Sequence, residues 1–363
     1  MTKLLRILKI LLKAKYTFNE VPQNNLLIYD SLTLEIVKNK LPFTLLRTRK
    51  EYFNLRLIIK NFFFLKFSFI SYLESFIKAA NPKLVITLND NEPLFYELKK
   101  RFPKKKFAAV QNGWRHLNDE SFKSRNLPVD YLFVFGKNSI RYYKKYIRCK
   151  KYIILGSFRN NNCRIKKKKS KKGILFISNF RKNFLSNFNN DFKIEPQIIQ
   201  VLNNFCQYNK IKFYIAGTST KNSKLEKKYF FSKLPKKNNG IMLKRNKNKR
   251  NYNLVDEFST IMFVDSSLGY EAISRGKKII SISARKKNNR IYHPFGFPTF
   301  FSKNSGQFYT NLSDKKNILE LLKRVYNMSS VEWNKKYYNN LKELVVYNYK
   351  NVKLYSTLNQ ILK

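Results

Sequence analysis

Short apolar runs alternate with longer helix-like stretches along most of the chain, and this alternation limits the possible folds more than any other feature. The runs have the length of buried strands, and the stretches between them have the length and periodicity of helices. Strands and helices in this order form a mostly parallel sheet with helices on both faces. The predicted strands are Leu26–Tyr29, Leu84–Leu88, Phe107–Val110, Tyr131–Phe135, Tyr152–Leu155, Gly173–Ser178, Lys212–Ala216, Thr260–Val264 and Lys278–Ile282. The predicted helices are Phe53–Ala80, Leu94–Arg101, Lys137–Ile147, Pro196–Tyr208, Ser223–Leu234, Leu268–Ser274 and Lys315–Asn327.

The alternation is interrupted by a stretch that is rich in Asn and Lys and almost without apolar residues, Arg159–Lys172. A chain of 363 residues has the usual length of two domains. We therefore expect an α/β fold with two α/β domains, at residues 1–158 and 173–330, joined by a basic polar linker at 159–172. Residues 331–363 are helical in pattern and polar enough to form covering helices.

The chain carries 74 Lys and Arg against 22 acidic residues, a formal net charge of +52. Such a charge favours a polyanionic partner, either a nucleic acid or an anionic membrane surface. However, the chain is also rich in Asn, Ile, Phe and Tyr, which together with Lys are typical of an AT-rich genome. The cations are spread along the chain, whereas nucleic-acid modules gather them on one face with spaced aromatic residues. We therefore expect no nucleic-acid partner, although a basic nucleic-acid-binding protein stays open as an alternative.

Three cysteines without a close pair predict neither a disulfide framework nor a zinc site, and they fit a reducing cytoplasm. Only two histidines are present, which leaves little for a histidine-based metal centre. We expect no metal and no cofactor. No segment is long and apolar enough to predict a membrane span. The start of the chain, Met1–Phe18, alternates Leu and Ile with Lys and Arg. It fits either a helix lying on the anionic inner membrane or an ordinary first helix packed on the protein.

Ligands of open parallel sheets bind beyond the carboxyl ends of the strands, so the residues that follow the predicted strands are the candidate site. One such segment comes after the strand at 260–264 and enters a helix. Its backbone N–H groups and hydroxyls suit the phosphates of a nucleotide, and Glu271 could accept hydrogen bonds from ribose hydroxyls. An ordinary capped helix explains the same residues. The candidate nucleotide-binding residues here are Asp265, Ser266, Ser267, Leu268, Gly269 and Glu271.

A second polar segment follows the strand at 84–88 and contains Asn89, Asp90, Asn91 and Glu92. Asp90 or Glu92 could act as a general base on a sugar hydroxyl, and the two amides could bind the sugar. The alternative is a turn that uses Asn and Asp for their backbone tolerance, with the carboxylates favouring the dipole of the next helix.

A third segment follows the strand at 107–110 and combines amides, an aromatic ring, a guanidinium and an imidazole. Trp114 could stack on a sugar ring, Arg115 could pair with a phosphate or carboxylate, and His116 could transfer a proton. An Asn-Gly turn with a buried Trp114 is the alternative. The candidate substrate-binding residues are Gln111, Asn112, Gly113, Trp114 and Arg115, and His116 is a candidate catalytic residue. His293, in a loop shaped by Pro294 and Pro298, is a further candidate on the nucleotide side.

Taken together, these segments resemble the bacterial surface carbohydrate biosynthesis proteins, which are related to the two-Rossmann (GT-B) glycosyltransferases. The resemblance depends on Leu84–Asn91, Phe95-Tyr96, Gln111–Arg115, Asp265–Ala272, Arg275–Lys278 and Phe295–Pro298, in that order along the chain. It is weaker towards transferases that use a CMP-linked sugar, because Phe295–Pro298 is shorter and has less glycine than the corresponding loop there.

The resemblance implies two Rossmann-like domains that face a cleft, with the acceptor on the first domain and a nucleotide-sugar on the second. It implies a glycosyltransferase of surface polysaccharide biosynthesis, with Asp90 as the first candidate for the base and a glycan or lipid-linked acceptor. A nucleotide-sugar 2-epimerase and a CDP-polyol phosphotransferase share the fold and stay open, as does a non-catalytic partner of a polysaccharide assembly complex.

Overall fold

The computed structural model describes most of the chain. The described residues are 12–37, 41–49, 52–65, 68–115, 122, 126–166, 170–180, 194–218, 223–243, 251–264, 266–282, 286–287, 290–291 and 305–363.

The first half of the chain forms a sheet of six parallel strands, the N-terminal sheet. Alternate side chains of each strand point to opposite faces, and both faces are covered, so the strands are apolar throughout. Leu27 and Val85 pack in the core on one face, and Leu26 and Leu84 pack in the core on the other. From edge to edge the strands are Thr44–Leu46, Leu26–Tyr29, Leu84–Thr87, Lys106–Val110, Leu127–Val134 and Ile147–Ile154.

The helices of this half include two where the sequence predicts one long helix at 53–80. The first ends at Phe63, and Ser68 caps the second by accepting a hydrogen bond from the Ser71 N–H. Tyr52–Asn54, at the start of the predicted helix, is instead a strand that pairs in parallel with Lys15–Thr17. The helices are Leu34–Val37, Leu55–Phe63, Phe69–Ala80, Pro93–Arg101, Lys137–Tyr143 and Phe158–Asn161, with a 3-10 turn at Ser31–Thr33.

The second half forms another sheet of six parallel strands, the C-terminal sheet. Its first strand in the chain lies in the middle, and later strands add on both sides, which is the strand order of a dinucleotide-binding fold. From edge to edge the strands are Gly240–Leu243, Phe213–Ala216, Lys171–Ile177, Phe258–Phe263, Lys278–Ile282 and Tyr309–Thr310. A separate antiparallel pair joins Lys286–Lys287 and Arg290–Ile291.

Helices cover both faces of this sheet, and their apolar residues join one large core. Helix Lys315–Asn327 is capped by Asp314, whose carboxylate accepts a hydrogen bond from the Asn317 N–H at 2.8 Å. The helices are Glu195–Tyr208, Ser223–Phe231, Tyr252–Asp256, Ser267–Glu271, Lys315–Asn327, Ser330–Trp333, Asn339–Leu341 and Val352–Leu362. Shorter turns are 3-10 at Ile273–Arg275 and Tyr349–Asn351 and π-helical at Asn334–Tyr338.

The end of the chain returns from the second half to the first. The Val346 N–H donates to the Phe135 carbonyl oxygen at 3.0 Å, and Leu354 and Leu358 of the last helix pack on the N-terminal sheet. The returning chain passes so close to residue 156 that a glycine is required at that position. The φ angle of Gly156 is +85°, and a Cβ atom on it would lie 2.2 Å from the Val346 carbonyl oxygen. The predicted covering helices are therefore present, and the last of them ties the two halves together.

Part of the predicted polar linker is buried rather than solvated. Asn160 and Asn161, in the short helix Phe158–Asn161, are fully buried. Asn160 donates to Ser274 Oγ at 2.8 Å and accepts from Arg275 at 2.7 Å, so this turn is bonded to the second half. The two-sheet α/β fold is confirmed, whereas the exact domain boundaries at 158, 172 and 330 stay a prediction.

Candidate functional site

In each sheet the strand order reverses at one point, and the loops at the carboxyl ends of the strands diverge there. In the N-terminal sheet this point lies between Leu26–Tyr29 and Leu84–Thr87, and in the C-terminal sheet it lies between Lys171–Ile177 and Phe258–Phe263. Ligands of open α/β sheets bind at such points. The polar segments at 89–92 and 266–271 follow one of these strands in each sheet, as the sequence analysis predicts.

Asp90 is fully buried, and its carboxylate is saturated with hydrogen bonds. Arg115 donates to both of its oxygens at 2.8 Å, the Asn112 N–H donates at 2.9 Å, and the Tyr143 hydroxyl donates at 2.6 Å. A carboxylate that already accepts four bonds has little capacity to take a proton from a substrate. The predicted role of Asp90 as the base stays untested, and the geometry favours a structural role that holds the segments 89–92 and 111–115 together.

The segment at 111–115 is held rigid by its own side chains. Gln111 accepts from the Phe135 N–H at 2.8 Å and donates to the Gly113 carbonyl oxygen at 2.9 Å, while the Asn112 side chain accepts from Arg115 at 2.9 Å. Arg115 therefore pairs with a carboxylate of the protein itself, with only 8% of its side chain exposed. The contacts of Gln111, Asn112 and Arg115 with substrate stay a prediction.

Trp114 joins this segment to the second half of the chain. Its ring stacks on Tyr270 with centroids 4.1 Å apart and planes 8° apart, and its backbone N–H donates to Ser267 Oγ at 3.0 Å. The side chain is buried, and its indole N–H has no hydrogen-bond partner in the described structure. One face of the ring is thus occupied by Tyr270, and the segments that follow a strand of each sheet meet at this contact.

In the second half of the chain, helix Ser267–Glu271 begins after Ser266, whose side chain makes no capping hydrogen bond. Gly269 has a packing role, because a Cβ atom there would lie 2.1 Å from the Phe263 ring. Leu268 packs at the edge of the same core. The predicted contacts of these residues with a nucleotide stay a prediction.

Glu271 is buried at the boundary between the two halves. Its carboxylate accepts hydrogen bonds from the Ser157 hydroxyl and, at 2.8 Å, from the Tyr252 hydroxyl. Burial raises the pKa of Glu271, and the two hydroxyls and the nearby Arg159 and Arg275 oppose that shift. Because each carboxylate oxygen can accept two hydrogen bonds, the predicted contact with ribose hydroxyls is compatible with these bonds and stays a prediction.

Glu92 is the more available of the two carboxylates in the segment 89–92. It is half-buried at the start of helix Pro93–Arg101, and it forms no ion pair with the described residues. Burial raises its pKa, a hydrogen bond from the Leu94 N–H opposes the shift, and the negative charge of Asp30 adds to it. Asn89 and Asn91, on the same turn, are also partly exposed.

Asp30 is a further candidate site residue that was not predicted from the sequence. It directly follows strand Leu26–Tyr29, is 3% exposed, and has φ 76° and ψ 140°, a backbone conformation that is unusual for any residue but glycine. Its carboxylate accepts from Arg49 at 3.3 Å. The preceding Tyr29 hydroxyl is buried without a hydrogen-bond partner in the described structure. The sequence pattern that could have identified Asp30 is a carboxylate that follows a buried apolar run, which is also the position of Asp90.

Three predicted site residues, His116, Asp265 and His293, lie outside the described residues. Within the described part of the chain, no three His, Cys, Asp or Glu side chains form a group that could hold a metal ion. No helix in that part is both long and apolar enough to cross a bilayer.

Solved structures of several carbohydrate enzymes share the fold. A UDP-GlcNAc 2-epimerase from Neisseria meningitidis aligns with a TM-score of 0.50 at 16% identity, over 92% of this chain and 99% of its own. A glycosyltransferase from Rickettsia africae aligns with a TM-score of 0.51 at 12% identity, over 93% of this chain and 90% of its own. The wall teichoic acid polymerase TagF aligns with a TM-score of 0.50 at 9% identity, over 94% of this chain and 88% of its own. At such identities the likeness shows the fold, which is the predicted GT-B arrangement.

Sequence comparison identifies the family. No protein with curated annotation matches the chain significantly. The family described as "putative O-antigen biosynthesis protein" matches residues 108–362, which is more than two thirds of the chain. The predicted resemblance to surface carbohydrate biosynthesis proteins is thereby confirmed, and the chain belongs to this O-antigen biosynthesis family.

Proposed function

We propose that the chain is a glycosyltransferase that moves a sugar from a nucleotide donor to a glycan or lipid-linked acceptor. The observation that carries the proposal is the contact of Trp114 with Tyr270 and Ser267. It joins the carboxyl-end loops of the two sheets, so that ligands bound at the two strand reversals would share one cleft. We expect the protein to work in the cytoplasm on the inner membrane surface, where lipid-linked acceptors would be available.

The donor belongs on the C-terminal sheet in this proposal. The backbone N–H groups at 266–269 would face the phosphates, and Glu271 would accept hydrogen bonds from the ribose. Transfer requires stabilisation of the departing nucleotide phosphate, which preorganised N–H groups and cations can supply without a metal. The binding experiment decides whether the donor carries CMP or another nucleotide.

The acceptor belongs on the N-terminal sheet, with Glu92 as the base that takes the proton from its hydroxyl. Two observations support Glu92 over Asp90. Glu92 is half-buried and free of ion pairs among the described residues, whereas Asp90 is saturated by Arg115, Asn112 and Tyr143. The raised pKa of Glu92 also makes its carboxylate a stronger base.

The first test is thermal stabilisation of the pure protein by CMP, CDP, UDP, GDP and dTDP, with inorganic tripolyphosphate as the control for charge. We expect one nucleotide to raise the unfolding temperature, since a ligand at a hundredfold excess over its Kd adds about 2.7 kcal/mol of stability. Glu271→Gln should weaken the effect. Glu257→Gln should not, because Glu257 lies at the opposite, amino end of the same sheet, where it pairs with Lys171. Equal shifts with every polyanion would contradict the proposal.

Product analysis separates transfer from the two alternatives on this fold. The stabilising nucleotide is supplied as its sugar or polyol derivative, without an acceptor, and the products are analysed by mass spectrometry and NMR. An epimerised nucleotide-sugar in this acceptor-free reaction would show an epimerase. Transfer of a polyol phosphate once an acceptor hydroxyl is supplied would show a phosphotransferase. Our proposal expects an intact donor until a glycan or lipid-linked acceptor is added.

A further inference from the structure

Four consecutive apolar residues are exposed at the end of helix Leu55–Phe63. The exposed fractions are 63% at Phe62, 77% at Phe63, 64% at Phe64 and 78% at Leu65. Single exposed apolar residues are ordinary, but a continuous apolar group on the surface of a folded protein marks an interaction site. We call these four residues the apolar tip.

The neighbouring strand extends this surface. Lys15–Thr17 pairs in parallel with Tyr52–Asn54, which leads directly into the helix that carries the apolar tip. Tyr16 is 42% exposed and Phe18 is 60% exposed. The Arg56 guanidinium lies 5.9 Å from the centre of the Phe18 ring, so the strand and the helix contribute to one face.

The charges of this face are mostly positive. Residues 12–20 and 52–65 contain four cations, Lys13, Lys15, Arg56 and Lys60, and one carboxylate, Glu20. All five side chains are exposed, and Glu20 already pairs with Arg56 at 3.0 Å. Aromatic and aliphatic side chains beside exposed cations are the composition that binds the interface of an anionic bilayer.

We infer that the apolar tip docks the protein on an anionic lipid bilayer, with its side chains at the level of the headgroups and the cations facing the lipid charge. A second copy of this chain is a poorer occupant, because a symmetric contact would bring the same cations of both copies together. The inference assigns a surface to the membrane contact that the proposed function expects, and it rests on that proposal. Its test measures binding to vesicles rather than transfer, so the two can fail separately.

The test is co-sedimentation of the full chain with vesicles of phosphatidylglycerol and phosphatidylethanolamine, with pure phosphatidylcholine vesicles for comparison. We expect the protein to pellet with the anionic vesicles only. The double variant Phe63→Ser, Leu65→Ser should reduce the partition coefficient about tenfold or more, since each side chain would leave the lipid. Both residues are exposed, so the fold should be preserved, and the unfolding temperature checks this.

A matched control removes two equally exposed apolar side chains from the second half of the chain. Tyr208 is 84% exposed and Val331 is 79% exposed, and the double variant Tyr208→Ser, Val331→Ser should bind vesicles like the unchanged protein. Equal binding by the tip variant would show that charge alone acts, which would overturn the inference. Light scattering that shows a dimer dissociated by the tip variant, without vesicle binding by the original chain, would overturn it in favour of self-association.

Insertion can be observed directly with a tryptophan in the tip. The native Trp114 and Trp333 are buried, at 3% and 1% exposure, so their emission should not respond to vesicles. In Phe63→Trp, a blue shift with anionic vesicles is the expected result. An unchanged emission while the protein pellets would contradict insertion of the tip.

Discussion

At the scale of single residues, the two carboxylates that follow strand Leu84–Thr87 have different environments and should behave differently. Asp90 is buried and paired with Arg115, whose side chain is itself 8% exposed. Glu92 is half-buried and has a raised pKa. Removing the charge of Asp90 takes away the carboxylate with which the buried Arg115 guanidinium pairs, whereas Glu92 forms no ion pair with the described residues. The first change should therefore affect stability and the second should affect chemistry.

Asp90→Asn should lower the free energy of unfolding by about 3–5 kcal/mol, because the buried Arg115 guanidinium loses the carboxylate with which it pairs. Urea denaturation followed by circular dichroism measures this. Glu97→Gln, on the surface of the next helix, should change the value by less than about 0.5 kcal/mol. If Asp90→Asn unfolds like the original chain and only turnover is lost, Asp90 is a catalytic residue after all.

The pH profile of turnover should have an acidic limb that is set by Glu92 and has its midpoint above 4.5, the ordinary pKa of a glutamate. Only the ionised carboxylate accepts a proton, so the rate should rise with pH through the raised pKa. Glu92→Gln should lower turnover about 10²- to 10⁴-fold and remove the limb. Asp30→Asn should move the limb to lower pH, because the charge of Asp30 raises the pKa of Glu92. If the unchanged protein, Glu92→Gln and Asp30→Asn all show the same acidic limb, the limb belongs to another group.

At the scale of secondary-structure elements, the central strands could be predicted because each is a continuous apolar run buried on both faces. The edge strands Thr44–Leu46, Gly240–Leu243 and Tyr309–Thr310 were missed, since two to four residues at an edge carry too little pattern. The division of the predicted helix at 53–80 was also missed. Neither Gly nor Pro marks it, and the break depends on the Ser68 cap and on Leu65 with φ 53°.

Helix Ser267–Glu271 is held against its own strand by a glycine. Gly269→Ala should cost about 1–3 kcal/mol of stability, because the added methyl group would overlap the Phe263 ring. Thermal unfolding measures the loss, and a smaller side chain in Gly269→Ala, Phe263→Leu should restore part of it. Gly113→Ala is the control, since its methyl group would lie 3.4 Å from Ser267 Oγ, an ordinary contact. Full stability of Gly269→Ala would show that the helix can move away from the strand.

At the scale of the whole molecule, the sequence predicts which loops form the candidate site but not which side chains pair there. The positions after the strands follow from the βα alternation alone. The pairing of Asp90 with Arg115, which are 25 residues apart, depends on the parallel register of two strands. The stacking of Trp114 on Tyr270 depends on how the two halves pack. Neither contact leaves a local pattern in the sequence, and both change the roles that the residues would otherwise be given.

The returning helix Val352–Leu362 should stabilise the first half of the molecule, although it comes last in the chain. Leu358 is fully buried in the core with Leu26 and Ile28, so Leu358→Ala should cost about 2–5 kcal/mol. Hydrogen exchange should become faster in strand Leu26–Tyr29. Val352→Ala, at a position that is 60% exposed on the same helix, should have little effect. Faster exchange confined to the C-terminal sheet would contradict the observed packing.

We propose that one cleft, formed by the carboxyl-end loops of both sheets, binds the nucleotide donor. Hydrogen exchange in the presence of the stabilising nucleotide tests it most directly, with tripolyphosphate as the comparison. We expect slower exchange at residues 266–272, together with residues 111–115 when the nucleotide carries its sugar. Slower exchange at the amino ends of the strands, or the same pattern with tripolyphosphate, would contradict it.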